Sequence, residues 1–328
     1  MTILLHHPNF GKHICVDDRT APQTDELILD HSLVVPHTNS YGHSFRDYEA
    51  KNERSEMVEE LYRLSHINQT YDFAKHMRDK YRSLDHVEMS IWECCEILND
   101  VVDESDPDLD EPQIQHLLQS AEAIRKDYPN QDWLHVTALI HDLGKVLLLP
   151  SFGGLPQWAV VGDTFPLGCA FDPSIVHYEH FKSSPDYKNP AYSTQLGVYS
   201  EGCGLDNILM SWGHDDYLLP RKTRLPCHRL HSSSFDIILF MATLHKSGAY
   251  KYLMNEEDAE NLKWLQIFNK YDLYSKSKSG VDVDKVKPYY ISLIKKVKLQ
   301  TCLTLFSSST FSYGVIDAMQ YFPPKLKW

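Results

Sequence analysis

The pattern of hydrophobic and polar positions along the chain predicts a fold that is almost entirely helical. Apolar residues recur at three- and four-residue spacing through most of the sequence, as expected for helices with one buried face. Helices are predicted over residues 56–65, 70–82, 89–99, 112–125, 133–149, 255–274 and 284–296. The Gly- and Pro-rich stretch 151–169 contains a β-like run at 158–162, which predicts a hairpin or a short strand pair. The predicted fold class is therefore all-α with a minor β-hairpin.

The run 133–149 is apolar nearly all round, yet it carries His141, Asp142 and Lys145. A helix that is apolar on every side is buried, and charged side chains inside a protein have to be paired or bound to something. Imidazole and carboxylate are metal ligands, and adjacent side chains project about 100° apart on a helix. His141 and Asp142 can therefore reach two neighbouring ions, or one ion from two sides. A buried His141 that finds hydrogen-bond partners in the core, beside a Gly144 that ends the helix, would explain His141 and Asp142 equally well. Only further potential ligands would favour a metal.

Three further stretches that look buried and helical each contain one more potential metal ligand: His116, His214 and Asp272. The helix that carries His214 is expected to start at residues 203–206. These residues together predict a His/Asp metal centre, although ligands so far apart in sequence are less specific than a zinc-finger spacing. Such ligands suit iron, manganese or zinc, and their types alone do not choose among these metals.

Composition narrows the class of protein and its partners. The 328 residues are 42% hydrophobic, enough for one large domain or two small ones. A net charge of −13 disfavours nucleic acid and anionic membranes as partners. The seven cysteines are odd in number and lack metal-type spacing, which is typical of a reducing compartment. With no signal-peptide pattern and no stretch as long as a membrane span, we expect a cytoplasmic protein.

The chain is expected to divide into three parts. Residues 1–40 have little periodicity and are predicted to be a poorly ordered lead-in. Residues 41–296 carry the helical pattern and all the candidate ligands, and residues 297–328 form a C-terminal tail. Acidic residues cluster between 103 and 111, directly before the helix of His116. They form either a solvated loop or a set of carboxylates that face the metal centre.

Several sequence blocks resemble the myo-inositol oxygenase family. The blocks are residues 102–108, 141–145, 156–166, 210–215 and 268–274, within a match that runs from about Phe45 to Lys296. The resemblance implies an HD-domain-like helical bundle around a non-haem di-iron site. It places His116, His141 and Asp272 on one iron, Asp142 as the bridge between the two irons, and His214 on the second iron. The wider HD-domain superfamily, which the arrangement also resembles, consists mostly of phosphohydrolases.

The resemblance also implies a reaction and a set of substrate contacts. Myo-inositol and O2 are converted to D-glucuronate and water, with Lys145 and Asp142 as catalytic residues. We expect the protein to be a monomer. The substrate contacts implied are Arg46, Asp103, Glu104, Ser105, Lys145, Gly162 and Asp163. Lys145 lies one helical turn beyond His141 and can hold an iron-bound hydroxyl, easing its deprotonation. From the residues alone, Lys145 fits a helix C-terminus equally well, and Arg46 fits a surface pair with Asp47 or Glu49.

Two other functions remain open at this point. A metal phosphohydrolase of the HD type would need a basic pocket for phosphate, whereas a neutral polyol suits one cation among many carboxylates. A non-catalytic relative would have lost its metal. The candidate pocket, with Lys145 among several carboxylates, favours the polyol.

One iron ligand of the family is missing from the sequence. The family carries a further histidine in a stretch that reads roughly Ile-Arg-Phe-His-Ser-Phe-Tyr, and residues 227–244 do not match it; His228, His231 and His245 lie outside the motif. Read from the third base of each codon, 234–242 can encode Ile-Arg-Tyr-His-Ser-Phe-Tyr-Gly. We therefore expect a frame slip between about Pro226 and His245. The chain as printed is then expected to bind the second iron weakly and to be nearly inactive.

The C-terminal tail departs from the family as well. Residues 321–328 resemble the family's ending, a short Pro-containing segment that closes on Trp, but residues 297–320 resemble nothing in it. Valine codons begin with GT and glutamine can be CAG, the edges of an intron. Residues 297–320 are therefore predicted to be translated intron, with a lineage-specific insertion as the alternative.

Overall fold

A computed structural model of the chain describes residues 37–82, 87–217, 248–307 and 326–328. Within these residues the fold is helical. The α-helices are α1 (Ser55–Asn68), α2 (Tyr71–Lys80), α3 (Ile91–Ile97), α4 (Gln113–Asp127), α5 (Asp132–Ile140), α6 (Glu256–Tyr274) and α7 (Val283–Ser307). Two strands of two residues each, β1 (Glu88–Met89) and β2 (Leu326–Lys327), pair antiparallel. The predicted all-α class is confirmed.

Local sequence signals explain where several helices begin. The Thr70 hydroxyl accepts a hydrogen bond from the backbone of Phe73 and caps α2. Ser90 and Glu93 form a reciprocal capping box at the start of α3, and Asn255 and Asp258 do the same for α6. Each cap satisfies backbone N–H groups that the first helical turn leaves without partners.

Helices α4 and α5 pack against each other and form the centre of the core. Leu117, Leu118, Leu134 and Ala138 are fully buried between them and their neighbours. Burying a leucine side chain contributes about 1.5–3 kcal/mol, so this pair anchors the domain. Polar contacts hold α6 and α7 against α4: the hydroxyl of Tyr271 donates to Asp127 at 2.8 Å, and that of Tyr290 donates to Glu122 at 2.7 Å.

The predicted continuous helix over 133–149 is wrong in one respect. Helix α5 ends at Ile140, and the chain continues as a 3-10 helix over Leu143–Leu148. The break falls at Asp142, whose φ of −100° and ψ of 7° lie outside the α-helical region. It lies between the two halves of the His-Asp-Leu-Gly-Lys stretch, so the candidate metal ligands His141 and Asp142 lie at a junction between two helices.

Two other local predictions are also corrected. Residues 158–162 form no hairpin: Gln157–Ala159 is a 3-10 turn, and the strand pair described is β1 with β2. The stretch before His214 is not a helix from residue 203; a 3-10 turn at Leu205–Asn207 leads into extended chain, and helix begins only at His214. An isolated bridge between Pro166 and Met210 holds this extended chain in place.

The two ends of the chain are only partly described. Most of the predicted lead-in lies outside the described residues, but Asn39 is buried and donates to Asp108 Oδ1 at 3.0 Å. At the other end, α7 continues to Ser307, so the predicted boundary at Val297 falls inside this helix. The closing Trp328 is 1% exposed and its Nε1 donates to Met89 O at 3.0 Å.

No single helix in the described parts of the chain is long and apolar enough to cross a membrane. One pair of helical segments, 132–148 and 150–159, reaches the required length only when joined, and it bends by 91° at the break.

Candidate metal centre

Four donor atoms from three helical elements converge on one point in the core. His116 Nε2 lies 2.9 Å from Asp272 Oδ1, and His141 Nε2 lies 3.2 Å from the same oxygen. The two imidazole nitrogens are 3.2 Å apart, and Asp142 Oδ2 lies 3.3 Å and 3.4 Å from them. Such spacings surround a single cation at ordinary coordination distances of about 2.0–2.2 Å. The structure thus brings together His116, His141, Asp142 and Asp272, as predicted from the sequence.

Asp142 faces a second point with its other oxygen. Asp142 Oδ1 lies 2.9 Å from His214 Nε2, while Oδ2 faces His116 and His141. A carboxylate whose two oxygens face two groups of ligands has the geometry of a bridge between two ions. Asp215, which was not among the predicted ligands, adds an oxygen 3.1 Å from His214 Nε2.

The metal-facing nitrogens are fixed by hydrogen bonds on the far side of each ring. His141 Nδ1 lies 2.7 Å from Ala138 O, and His214 Nδ1 lies 2.7 Å from Val160 O. Because a carbonyl only accepts, each Nδ1 carries a proton and each Nε2 is the nitrogen that points inward. Histidines that bind metals are typically oriented in this way. The donor set, made of buried imidazoles and carboxylates, therefore fits a transition-metal ion.

Burial and charge act in opposite directions on the pKa values of these groups. Burial alone would lower the pKa of His214, but the carboxylates of Asp215 and Asp142 raise it to about 9. Burial would raise the pKa of Asp142, but His141 and Lys145 hold it well below its usual range. The pKa of Asp272 is likewise held low, against burial, by His116 and His141. The two aspartates are therefore ionised, as metal ligands have to be.

A cavity opens directly onto the centre, and most of the predicted substrate contacts line it. Its described lining includes the candidate ligands His116, Asp142, His214 and Asp272, but not His141. Six of the predicted substrate contacts and Lys276 also line it: Arg46, Asp103, Ser105, Lys145, Gly162, Asp163 and Lys276. Glu104 does not line the cavity; its backbone N–H donates to Gln157 Oε1 at 3.3 Å. Part of the acidic stretch faces inward, since Asp106 and Asp108 are buried, whereas Asp110 is exposed and pairs with Arg54.

Lys145 is buried beside the bridge and is not an exposed residue at a helix end. Its Nζ donates to Asp142 Oδ2 at 2.8 Å and to Asp103 Oδ2 at 2.7 Å. Burial would lower the pKa of Lys145, but these two carboxylates raise it, so the side chain stays charged. Lys145 is thus a fixed cation next to the position where a ligand of the centre would lie.

Arg46 pairs with Asp163 across the cavity at 2.7 Å, not with the sequence neighbours Asp47 or Glu49. Its backbone has a φ of 57°, a conformation uncommon outside glycine, and its N–H donates to Asp108 Oδ1 at 2.9 Å. Gly162, which also lines the cavity, has a φ of 101° that favours glycine. The turn before Asp163 therefore depends on the missing side chain.

Gly144 has a role that the sequence did not reveal. A Cβ atom at this position would lie 1.9 Å from the backbone oxygen of His214. Only glycine lets the 3-10 helix that starts at Leu143 approach the backbone of His214 so closely. Gly144 thereby sets the distance between the first and the second group of ligands.

Two other residues that shape the centre, Gln113 and Lys276, are not singled out by the sequence pattern. Gln113 donates to Asp142 Oδ2 at 2.5 Å and its own oxygen accepts from Lys145 at 3.3 Å. Lys276 lines the cavity and pairs with the buried Asp106 at 2.6 Å. Helical spacing was the one available signal, because Gln113 precedes His116 by three residues and Lys276 follows Asp272 by four. Neither position stands out in the polar pattern.

The stretch in which the family's further histidine was expected lies outside the described residues. His228, His231 and His245 all fall within 218–247. The described part of the second point consists of Asp142, His214 and Asp215.

Comparison with known proteins gives a consistent result. Residues 55–302 match the family model described as Myo-inositol oxygenase. Inositol oxygenase 1 of Arabidopsis thaliana is 60% identical over 309 residues, which cover 92% of this chain and 90% of that protein. Inositol oxygenase 2 of the same plant is 58% identical over an alignment of 348 positions that covers both chains completely. Inositol oxygenase of Dictyostelium discoideum is 47% identical over 289 residues, 86% of this chain and 97% of its own.

Proposed function

The chain belongs to the myo-inositol oxygenase family, and from this membership we propose that it opens the ring of myo-inositol with O2. The products are D-glucuronate and water: C6H12O6 and O2 contain the same atoms as C6H10O7 and H2O. One carbon–carbon bond of the ring breaks, one of its carbons becomes an aldehyde, and the other becomes a carboxylate. The relatives named inositol oxygenase and the buried His/Asp cluster support this proposal.

We propose that the centre holds two iron ions bridged by Asp142. His116, His141 and Asp272 would hold the first ion with Asp142 Oδ2, and His214 would hold the second with Asp142 Oδ1. The absence of thiolate among these donors suits a hard or borderline ion such as iron. When bound, the iron pair supplies the redox chemistry and the Lewis acidity that a four-electron oxidation by O2 requires.

The charge pattern of the cavity supports a neutral polyol as substrate. All three cations among its described lining residues are already paired: Arg46 with Asp163, Lys145 with Asp103, and Lys276 with Asp106. A phosphohydrolase would need unpaired cations for its substrate phosphate. A polyol instead needs many hydrogen-bonding groups around it, since each unmatched hydroxyl loses its hydration without replacement. The paired carboxylates and cations supply such groups.

Lys145 would act on the hydroxyl that loses its proton. Its ammonium group lies 2.8 Å from Asp142 and 2.7 Å from Asp103, close enough to contact a hydroxyl bound at the centre. A fixed positive charge lowers the pKa of a neighbouring hydroxyl and stabilises the alkoxide. Asp103 keeps Lys145 in place and provides an acceptor for the same or an adjacent hydroxyl.

The proposal is tested by incubating iron-loaded protein, translated from the sequenced transcript, with myo-inositol in the presence and absence of O2. We expect D-glucuronate only with O2. The Lys145→Met variant should lose about 100-fold or more in kcat/KM, the order expected for one electrostatic contact to a developing charge, while keeping its iron. An exposed lysine on α4, Lys126, provides the control Lys126→Met. Hydrolysis of a phosphate ester without O2, with no glucuronate formed, would favour the phosphohydrolase instead.

A further inference from the structure

A second group of metal-binding side chains lies apart from the buried centre. It consists of Glu59 on α1, His177 just before the 3-10 helix Tyr178–Ser183, and His180 within that helix. One donor atom of each residue lies within 4.8 Å of a donor atom of each of the others. His180 Nε2 and Glu59 Oε1 are 3.7 Å apart. We propose that these three residues bind one zinc ion at the surface of the domain.

The backbone explains why the two imidazoles share one side. His177 stands directly before the 3-10 helix that carries His180 and has a left-handed backbone conformation, with a φ of 53°. The backbone N–H of His180 donates to the backbone oxygen of His177 at 3.1 Å, and the two ring centroids are 6.0 Å apart. Glu59 reaches the same place from α1. The site therefore joins two elements that are more than a hundred residues apart in sequence.

The surroundings of the cluster leave its donors available. His177 Nε2 is buried and has no hydrogen-bond partner within the described chain, which is a costly state for a polar atom. Glu59 makes no ion pair with a described residue other than His180, and its side chain is 61% exposed. The His180 side chain is 24% exposed, so the cluster opens to solvent and a metal ion can enter.

Two imidazoles and one carboxylate are a common protein ligand set for zinc, with water at the fourth position. At bond lengths of about 2.0–2.2 Å and tetrahedral angles, two donors of one ion lie about 3.3–3.6 Å apart. The 3.7 Å between His180 Nε2 and Glu59 Oε1 is close to this spacing, and donors as far apart as 4.8 Å would have to approach each other by about 1.2–1.5 Å. Imidazole and carboxylate also bind other borderline divalent ions. Zinc is preferred here because it tolerates three protein ligands and has no strict geometric demand.

The test uses the full chain with iron already in the buried centre, kept under anaerobic conditions. Zinc is titrated by calorimetry, and zinc and iron are counted in the desalted protein. Replacing His180 with alanine should remove one equivalent of bound zinc, and Glu59→Gln should weaken that equivalent at least tenfold. His76→Ala, at an exposed histidine of α2, is the matched control and should leave zinc binding unchanged. Zinc that binds to the remaining histidines is the same in every variant, so it does not contribute to the difference between variants.

Ligand linkage supplies a second readout. Zinc that binds only the folded protein raises its melting temperature. The wild-type protein and His76→Ala should show the same rise, while His180→Ala should show a smaller one or none. The proposal is overturned if His180→Ala binds zinc with the stoichiometry and affinity of the wild-type protein.

Discussion

At the scale of single residues, the candidate ligands of the centre were largely predictable from the sequence. The residues that contact these ligands or line the cavity were not. His116, His141, Asp142, His214 and Asp272 converge as expected, because several buried-looking His and Asp residues in separate apolar runs all need partners, and one shared centre provides them. Gln113 and Lys276, which contact the bridge or line the cavity, were missed. A polar residue at a helix start or end is ordinary, and only the tertiary fold turns it inward.

Gly144 gives a prediction at this scale. We expect Gly144→Ala to push the backbone of His214 away, since a Cβ would lie 1.9 Å from its oxygen. The second group of ligands would then lose its geometry, and metal affinity should fall by a factor of about 10–100, the range seen when orienting contacts are lost. Metal content after desalting measures this loss. Gly280→Ala is the control, because a Cβ there meets only the flexible side chain of Gln115, at 3.3 Å. Equal metal content in both variants would contradict the role assigned to Gly144.

His66 gives a prediction for the pH dependence of stability. It is fully buried and stacks on Phe181 at 3.9 Å, and burial lowers its pKa to about 3. Below pH 6.5 the unfolded chain takes up a proton at this residue that the folded chain does not. Stability is therefore complete above pH 6.5 and falls as the pH drops towards 3, by about 1 kcal/mol from this group at pH 5.5.

The His66→Phe variant keeps the stacking and removes the titration. Urea unfolding at pH 7.5 and pH 5.5 measures the effect. We expect the variant to lose about 1 kcal/mol less than the wild-type protein between the two values. An identical loss in both proteins would show that His66 does not carry this pH dependence.

At the scale of elements, periodicity identified the helices and failed where packing overrides it. Helices α1, α4 and α6 lie where apolar spacing placed them, because each has one face against the core. The break at Asp142 was missed. The run 133–149 is apolar on all sides, so it contains no alternation of apolar and polar positions that could show where the helix ends. The run 158–162 contains β-branched residues, but the backbone N–H of Val160 donates to Gln157 O at 2.9 Å and closes a 3-10 turn there. The Gln157 side chain attaches this turn to the backbone of Val102 and Glu104.

Trp328 provides the prediction for an element. Strand β2 pairs with β1, and the Trp328 indole is buried with its N–H on Met89 O. Trp328→Ala should therefore lower the free energy of unfolding by about 3–5 kcal/mol, as for other large-to-small changes in a core. Trp328→Phe, which keeps an aromatic ring but loses the hydrogen bond, should cost less. Urea unfolding decides this, and a loss below about 1 kcal/mol for Trp328→Ala would show that the closing residue is not part of the core.

At the scale of the whole molecule, two segments of the printed sequence remain hypotheses. The predicted frame slip at 226–245 falls within residues 218–247, which lie outside the described residues. Of the predicted intron at 297–320, residues 308–320 lie outside the described residues as well. We expect the spliced transcript to encode Ile-Arg-Tyr-His-Ser-Phe-Tyr-Gly in the first segment and to lack the second. Sequencing that transcript is the measurement. A transcript that encodes both segments as printed would end both ideas, and His231 or His245 would then have to serve as the remaining ligand.

The central claim is that the Asp142-bridged centre uses O2 to cleave the ring of myo-inositol. Its most direct test is to supply 18O2 to iron-loaded protein translated from the verified transcript and to analyse the product by mass spectrometry. The aldehyde carbon of D-glucuronate already carries its oxygen in myo-inositol, whereas the carboxylate needs one more. We therefore predict one labelled oxygen per product molecule, located in the carboxylate, and no product from Asp142→Asn. Unlabelled D-glucuronate, or labelled product from Asp142→Asn at the wild-type rate, would contradict the claim.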